Sequence, residues 1–389
     1  VENGEYPYLD AGLENQIPSG TRVLRNKINE PYKLYRSLSG QKQKVDPTIF
    51  SSTNQSFLKR MMIWIRGNLF IPDPRIFWVR PSVKYLSEFL VNNSVDAIVS
   101  TGPPHSMHLI ARKLHKRFNI PWLADFRDPW TQIYSFDQMH MSFIAKKIHR
   151  ILEQKVLKES NLLVTVSNHC KKDLERIAKR EVKVITNGYE EFNIPAIVKT
   201  DDAIRMLYAG ALSMDRNPKM FWQQLIYYLK QHPEIKNRFQ LWMIGSIDQQ
   251  IIEELKLSEL SGQVFYLPAI PHSELQYHLS LSDLLLLIGV PGHPGVVTGK
   301  LFEYLYMRKP ILSISPEASD VVDILNETCT GFNADFNDEA IHYENIVRIF
   351  EMIANKSFKP SLENIEKYSR KQLTKKLSEL LNQITEIKP

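Results

Sequence analysis

The chain has 389 residues, 43% of them hydrophobic and 24% charged. That is enough for two or three domains of about 150 residues each, and it excludes a disordered, collagen-like or fibrous chain. Two cysteines, Cys170 and Cys329, exclude a disulfide scaffold or a cysteine-rich zinc site and suit a reducing cytosol. Lys plus Arg number 49 against 43 Asp plus Glu, a net +6. So mild a bias argues against a nucleic-acid partner and suits anionic ligands or an anionic membrane surface. No run approaches the roughly 20 apolar residues of a membrane span; the longest, Leu284–Val290, is strand-sized. No signal peptide is legible. The polar, turn-rich opening from Val1 to Gly20 predicts a start inside a longer natural product.

In chain order, the first candidate element is a short strand at Thr21–Leu24. Residues 54–71 then combine Phe57, Ile63, Trp64 and two methionines with Lys59, Arg60 and Arg66, and no acid. This pattern fits either a core-packing helix with a solvated basic face or a helix lying in a bilayer interface. From Val95 onward short apolar runs alternate with amphipathic stretches. A buried strand at Val95–Ser100 precedes a helix at His105–Phe118, a strand at Ile120–Asp125 and a helix at Ser142–Glu159. A strand at Asn161–Val166, a helix from Asn168 and a strand at Val182–Ile185 follow. Glu190–Ala203, with Pro195 and no periodicity, reads as a linker. The alternation then restarts with strands at Arg205–Ala209, Phe239–Ile244, Val264–Leu267, Leu284–Ile288 and Ile311–Ile314. Between and after them stand helices near Pro218–Gln231, Gln249–Leu257, Ser273–Leu281, Lys300–Tyr306 and Ala318–Leu325. Leu362–Ile387 reads as a closing amphipathic helix. The pattern predicts an α/β protein of two tandem Rossmann-like domains facing a central cleft.

Four strand-end clusters carry the candidate chemistry. The segment from Pro294 to Leu305 opens a helix with Thr298, Gly299 and Lys300, offering free N–H groups and a cation to a diphosphate. Glu303, one turn in, suits ribose hydroxyls; the plainer reading is a simple cap with a solvated lysine. Gly210 permits close backbone approach, and Arg216 precedes a helix that Asn217 would cap and Pro218 would start. That arginine reads either as a fork on phosphate oxygens or as a surface charge. In the first half, Ser100–His105 ends one strand and Asp125, Arg127, Asp128 and Trp130 end the next. Carboxylates, an arginine and an indole suit sugar recognition; an Arg127–Asp128 ion pair is the structural alternative. His105 heads a helix, whose dipole favours its neutral form. No metal-ligand motif, Gly-x-Ser-x-Gly elbow or Gly-x-Gly-x-x-Gly fingerprint is present.

The blocks "VDAIVSTGPPHS", "IPWLADFRDPW", "VITNGYE", "LYAGALSMDRNP" and "TGKLFEYLYMRKPILSISPEASDV" resemble, in order and spacing, bacterial family 4 glycosyltransferases of the GT-B fold. The resemblance runs from about Gly20 to the C-terminus. It implies a nucleotide-sugar donor on the second domain (200–364) and a glycan or lipid-linked acceptor on the first (1–190 with about 365–389). Retention of configuration, no metal or other cofactor, and cell-surface polysaccharide synthesis at the inner face of the cytoplasmic membrane are implied with it. Glu303 matches the second glutamate of the family's Glu-x7-Glu motif, Arg216 its basic residue near the diphosphate, and Asp125–Trp130 the loop beside the transferred sugar. Gly245 and Leu267–Ile270 would line the base pocket, with Thr298, Gly299, Lys300 and Leu301 around the phosphates. The sequence departs from the pattern at Gly295, where the first glutamate would fall, at Ala211, where an arginine would stand, and in lacking an opening strand with its Gly-rich loop. A sugar-nucleotide epimerase and a non-catalytic nucleotide- or glycan-binding protein are the competing readings.

Overall fold

The computed structural model describes residues 17–27, 57–133, 136, 139–192 and 199–386. They divide into two compact units. The first runs to Val166 and adds Cys170–Val184 and the residues from Glu379; the second holds Ser167–His169 and Ile185–Ser378.

The first unit carries a parallel sheet of four strands in the order β1 (Ile98–Gly102), β2 (Trp122–Phe126), β3 (Leu162–Thr165) and β4 (Lys183–Val184). Ile98 is in register with Trp122, Leu123 with Leu162, and Val164 with Lys183. Helices α1 (Phe57–Leu69), α2 (Ile76–Asn92), α3 (Ser106–Phe118), α4 (Phe143–Glu159) and α5 (Asn168–Ala178) complete the succession. The core gathers Leu109 and Leu114 of α3, Trp122 and Phe126 of β2, Val156 and Leu157 of α4, Leu163 and Leu174. Local residues set the helix ends. The Ser142 hydroxyl caps α4 by accepting from the Ala145 N–H at 3.2 Å, while Asn119 ends α3 in the left-handed region at φ 53°.

The second unit is a six-stranded parallel sheet in the order β10-β9-β8-β5-β6-β7. These are β5 (Ile204–Ala209), β6 (Phe239–Ile244), β7 (Val264–Leu267), β8 (Leu284–Ile288), β9 (Ile311–Ile314) and β10 (Gly331–Ala334). Every residue of β8 is buried, as expected of a parallel strand covered on both faces. Side chains alternate between two cores: Met206, Tyr208, Leu284 and Leu286 pack on one face, Leu207, Ala209, Leu285 and Leu287 on the other. The helices are α6 (Lys219–Gln231), α7 (Pro233–Lys236), α8 (Gln249–Leu257), α9 (His272–Leu281), α10 (Gly299–Met307), α11 (Asp320–Thr328), α12 (Glu339–Ala354) and α13 (Leu362–Glu366). A last helix, α14 (Arg370–Glu386), runs from this unit into the first. The chain lays down β5, steps outward through β6 and β7, then returns to place β8 on the other side of β5. Strand order therefore reverses between β5 and β8, which creates a switch-point crevice at their carboxyl ends.

The two α/β units meet the expected fold class, and the differences are local. Thr21–Leu24 is irregular rather than a strand, and among the described residues no strand precedes β1. Val95–Ser100, expected to be buried, begins as a strand only at Ile98 and leaves Val99 half exposed; among the described residues β1 is the edge strand of its sheet. Residues 57–69 of the expected basic helix do form one, with Ile63 buried and Trp64 exposed; residues 54–56 lie outside the described set. The closing helix is interrupted at Lys367–Ser369, where the Tyr189 N–H bonds the Tyr368 carbonyl at 3.1 Å and the Arg370 N–H bonds the Tyr189 carbonyl at 2.9 Å. Pairing with residue 189 takes the groups that a continuous helix would need. α2, β10 and α12 have no counterpart in the sequence reading.

Candidate functional site

In the second unit, candidate side chains converge on the β5/β8 switch point. β5 ends at Ala209, whose N–H donates to the buried Tyr304 hydroxyl at 3.0 Å and so locks α10 against the strand end. Gly210 follows at φ +136°, and a Cβ built there would fall on Lys300 Nζ. The glycine is thus the vacancy through which the lysine ammonium reaches the strand end. That ammonium lies 5.5 Å from the centroid of the Tyr208 ring. Among the described residues it makes no hydrogen bond and no ion pair. Burial, reinforced by the charge of Arg216 and opposed by Glu303, pushes its pKa down to about 8.

Around this cation the first turn of α10 supplies further groups. Thr298 stands at the N-cap in extended conformation with no side-chain cap bond, and its buried hydroxyl oxygen has no partner. Gly299 opens onto free space: a Cβ added there would have no atom within 4 Å. Leu301 is wholly buried, and its N–H is taken by the Thr298 carbonyl at 3.2 Å, so it anchors the turn rather than facing the crevice. Glu303 is partly exposed, with its carboxylate 3.4 Å from His272 Nε2 at the start of α9. Cation, helix N-terminus and hydroxyl together form an anion cradle.

Arg216 holds the crevice together. It donates from Nε to the Gly289 carbonyl at 2.9 Å, from Nη2 to the Ile288 carbonyl at 2.5 Å, and from Nη1 to the Ala211 carbonyl at 3.4 Å. Its fork thereby ties the end of β8 to the loop after β5, whereas the sequence reading placed it on phosphate oxygens or at the surface. Its positive charge remains beside the cradle, as the depressed Lys300 pKa records. Gly245, at φ +130°, is packed against the backbone of Gly210, on which any Cβ would collide. Its N–H bonds the Leu267 carbonyl at 3.0 Å, and Ile270 packs on the lower core.

Asn217 does not cap α6. Pro218 occupies that position, and the Asn217 amide accepts from Trp222 Nε1 at 2.8 Å and donates to Glu254 at 3.3 Å. The indole competes successfully for its oxygen, turning the residue toward α6 and α8. Gly295 leaves room for the His169 ring, 2.8 Å from a Cβ built there.

In the first unit, Thr101 and Asp125 are register partners on β1 and β2, and the threonine hydroxyl donates to Asp125 Oδ2 at 3.0 Å. Burial raises the Asp125 pKa, opposed by this bond and by the Arg127 charge. Arg127 and Asp128 are exposed beyond the strand end. Trp130 is not available as a sugar platform: it is buried, stacked on His105 at 4.8 Å, and its indole N–H donates to His149 Nδ1 at 3.0 Å. Burial and then the His149 charge push the His105 pKa down to about 3. Burial likewise lowers His149 to about 4 and His108 well below its usual value.

This histidine cluster was not legible as a unit, and it makes the stability of the first unit pH-dependent. In the unfolded chain each imidazole protonates near about pH 6.5. Between that value and the folded pKa the unfolded state binds more protons, so stability falls as pH drops. The expected slope is up to about 1.4 kcal/mol per pH unit for each histidine, from roughly pH 6.5 down toward 4. Melting temperature measured against pH should show this loss, reduced by one proton's worth in His149→Gln; a flat profile from pH 7 to 4 would contradict the assignment.

Residues 34–191 match the model of Glycosyltransferase Family 4, less than half of the chain. No curated protein matches. Among solved structures, a glycosyltransferase from Rickettsia africae is similar with a TM-score of 0.60 and 16% identity, over 82% of this chain and 84% of that one. Sucrose-phosphate synthase from Thermosynechococcus elongatus gives 0.58 and 16% identity, over 81% and 80%. Anabaena HepE, solved in complex with UDP-glucose, gives 0.55 and 14% identity, over 78% and 82%. The fold is therefore GT-B-like, the architecture of glycosyltransferase-like proteins. Among the described residues no group of three or more His, Cys, Asp and Glu could hold a metal ion, and no helix is long and apolar enough to cross a membrane.

Proposed function

We propose that the protein is a retaining, metal-independent glycosyltransferase that moves a sugar from a nucleotide-sugar donor to a glycan or lipid-linked acceptor. The observation that carries the reading is the unpaired, half-buried ammonium of Lys300 at the switch point, set against the first turn of α10. A nucleoside diphosphate supplies the charge this cradle lacks, and neutralising that charge is what departure of the leaving group requires. Lys300 through its ammonium and N–H, the Gly299 N–H, and Thr298 would hold the diphosphate, with Leu301 anchoring the turn through its N–H bond to the Thr298 carbonyl. Glu303 would accept from the ribose hydroxyls, and Gly245 with Leu267 and Ile270 would bound the base. Arg216 would position the cradle through the β8 carbonyls and contribute its field.

On the acceptor side, residues 1–190 with about 365–389 would hold the glycan near Asp125, Arg127, Asp128 and His105. Asp125 and the exposed Arg127 and Asp128 are the groups suited to hydroxyl binding, with His105 a neutral neighbour. The family match over residues 34–191 falls within this part of the chain. The cellular setting would be cell-surface polysaccharide synthesis at the inner face of the cytoplasmic membrane. A non-catalytic binding protein is the second reading, favoured by Gly295 and Ala211 at positions where the resembled family carries charge.

Incubation with labelled nucleotide-sugars and membrane-derived glycolipid acceptors tests the proposal. Transfer with the donor's anomeric configuration kept in the product is expected. Donor binding without any transfer or hydrolysis would select the binding protein instead.

A further inference from the structure

The helix α4 carries apolar side chains on its outer face as well as in the core. Its buried side includes the ionisable residues His149 and Glu153, the latter accepting from the Thr131 hydroxyl at 2.5 Å. Its water-facing side carries Phe143 (78% exposed), Ile144 (70%), Ile148 (40%) and Ile151 (41%). Residues 144, 148 and 151 recur at the spacing of one helix face, joined there by Lys147, Lys155 and Lys158, all exposed. No exposed carboxylate interrupts this stripe: Glu153 is buried, and Glu159 is held by Arg112 at 2.6 and 2.8 Å. The end of α1 adjoins this helix. Asn68 accepts from the Ser142 N–H at 2.7 Å and donates to the His140 carbonyl at 3.4 Å, which brings the end of α1 to the start of α4. Leu69 (64% exposed) and Trp64 (46%) stand on that end.

We propose that the outer face of α4, extended by Trp64 and Leu69, docks on an anionic lipid bilayer. A row of isoleucines with a phenylalanine and an indole, flanked by lysines whose stems can lie along apolar surface, has the composition of a helix seated at the headgroup boundary. Charge selects the occupant. A second copy applied through the same face would set lysine stripe against lysine stripe, which is unfavourable, whereas phosphatidylserine headgroups complement it. The proposal stands on the surface alone and does not depend on the donor site.

Sedimentation of the full chain with vesicles tests it. Wild type should bind vesicles containing about 30 mol% phosphatidylserine and release with salt, and bind phosphatidylcholine vesicles weakly. Lys147→Gln with Lys155→Gln should weaken binding roughly fivefold per lysine. Ile144→Ser with Ile148→Ser should weaken it at least as much. All four positions are exposed, so unchanged melting temperatures are expected and would show that the fold is retained. Absence of binding to either vesicle, or binding that both double variants leave intact, would overturn the proposal. So would wild-type self-association in sedimentation velocity that the isoleucine variant abolishes, because a second copy would then cover the face.

Discussion

Lys300→Met is expected to weaken binding of a nucleoside diphosphate roughly 10- to 150-fold, the range set by about 1.5–3 kcal/mol for a hydrogen bond to a charged group. The methionine keeps the length and apolar stem, so the crevice beside Gly210 stays filled and only the charge is removed. The same lysine makes affinity pH-dependent. Its pKa of about 8 in the free protein means that the ammonium form predominates at pH 7, is half lost at pH 8 and is mostly lost by pH 9. A bound anion stabilises the ammonium, so affinity should be level below about pH 8 and fall above it, by up to about tenfold per pH unit. Calorimetric titration of both proteins at pH 7 and 9 measures the effect. Lys300→Met should lose most of the pH dependence. Equal affinity of the two proteins at pH 7 would show that the lysine does not meet the ligand.

The second large effect is structural. Gly245→Val should destabilise the second unit by about 3 kcal/mol or more, combining the cost of a left-handed φ for a β-branched residue with collision against a neighbouring backbone. The collision is with the Gly210 carbonyl, in a segment pinned on both sides by the Gly210 N–H bond to the Ile244 carbonyl at 2.7 Å and the Leu212 N–H bond to the Ser246 carbonyl at 3.0 Å. For a unit of this size, the loss corresponds to a fall in melting temperature of about 6–12 °C. Gly262→Ala is the control, since nothing lies within 4 Å of a Cβ at that position. A valine variant that melts with wild type would mean that the two glycines are not packed back to back.

Much of this architecture was legible because parallel strands leave a strong signature. β6, β7, β8 and β9 fall on the residues that apolar runs mark, most plainly β8 and β9, which are buried on both faces. The motif at Thr298–Glu303 was legible too, as small residues opening a helix after a buried strand. Roles that depend on a distant backbone group were not. Nothing in Arg216 announces that its fork is satisfied by carbonyls at the end of β8, 72 and 73 residues away. Trp130 reads as a platform for a sugar until His105 and His149 are seen to enclose it. The outward isoleucines of α4 carry helical periodicity, yet periodicity alone does not say which stripe faces the sheet. Burial of Ala145, His149, Glu153, Val156 and Leu157 decides that, and it leaves the isoleucines outside.

The central claim is that the β5/β8 switch point of the second unit binds a nucleoside diphosphate through Lys300 and the start of α10. Thermal unfolding against a panel of nucleoside diphosphates, run on wild type, Lys300→Met and Glu303→Ala, tests it most directly. At about 100 times its dissociation constant a ligand adds roughly 2.7 kcal/mol, enough for a clear melting shift. The account predicts that at least one diphosphate shifts wild type, that Lys300→Met loses most of that shift, and that Glu303→Ala loses part of it. No shift with any nucleotide, or an equal shift in Lys300→Met, would contradict it.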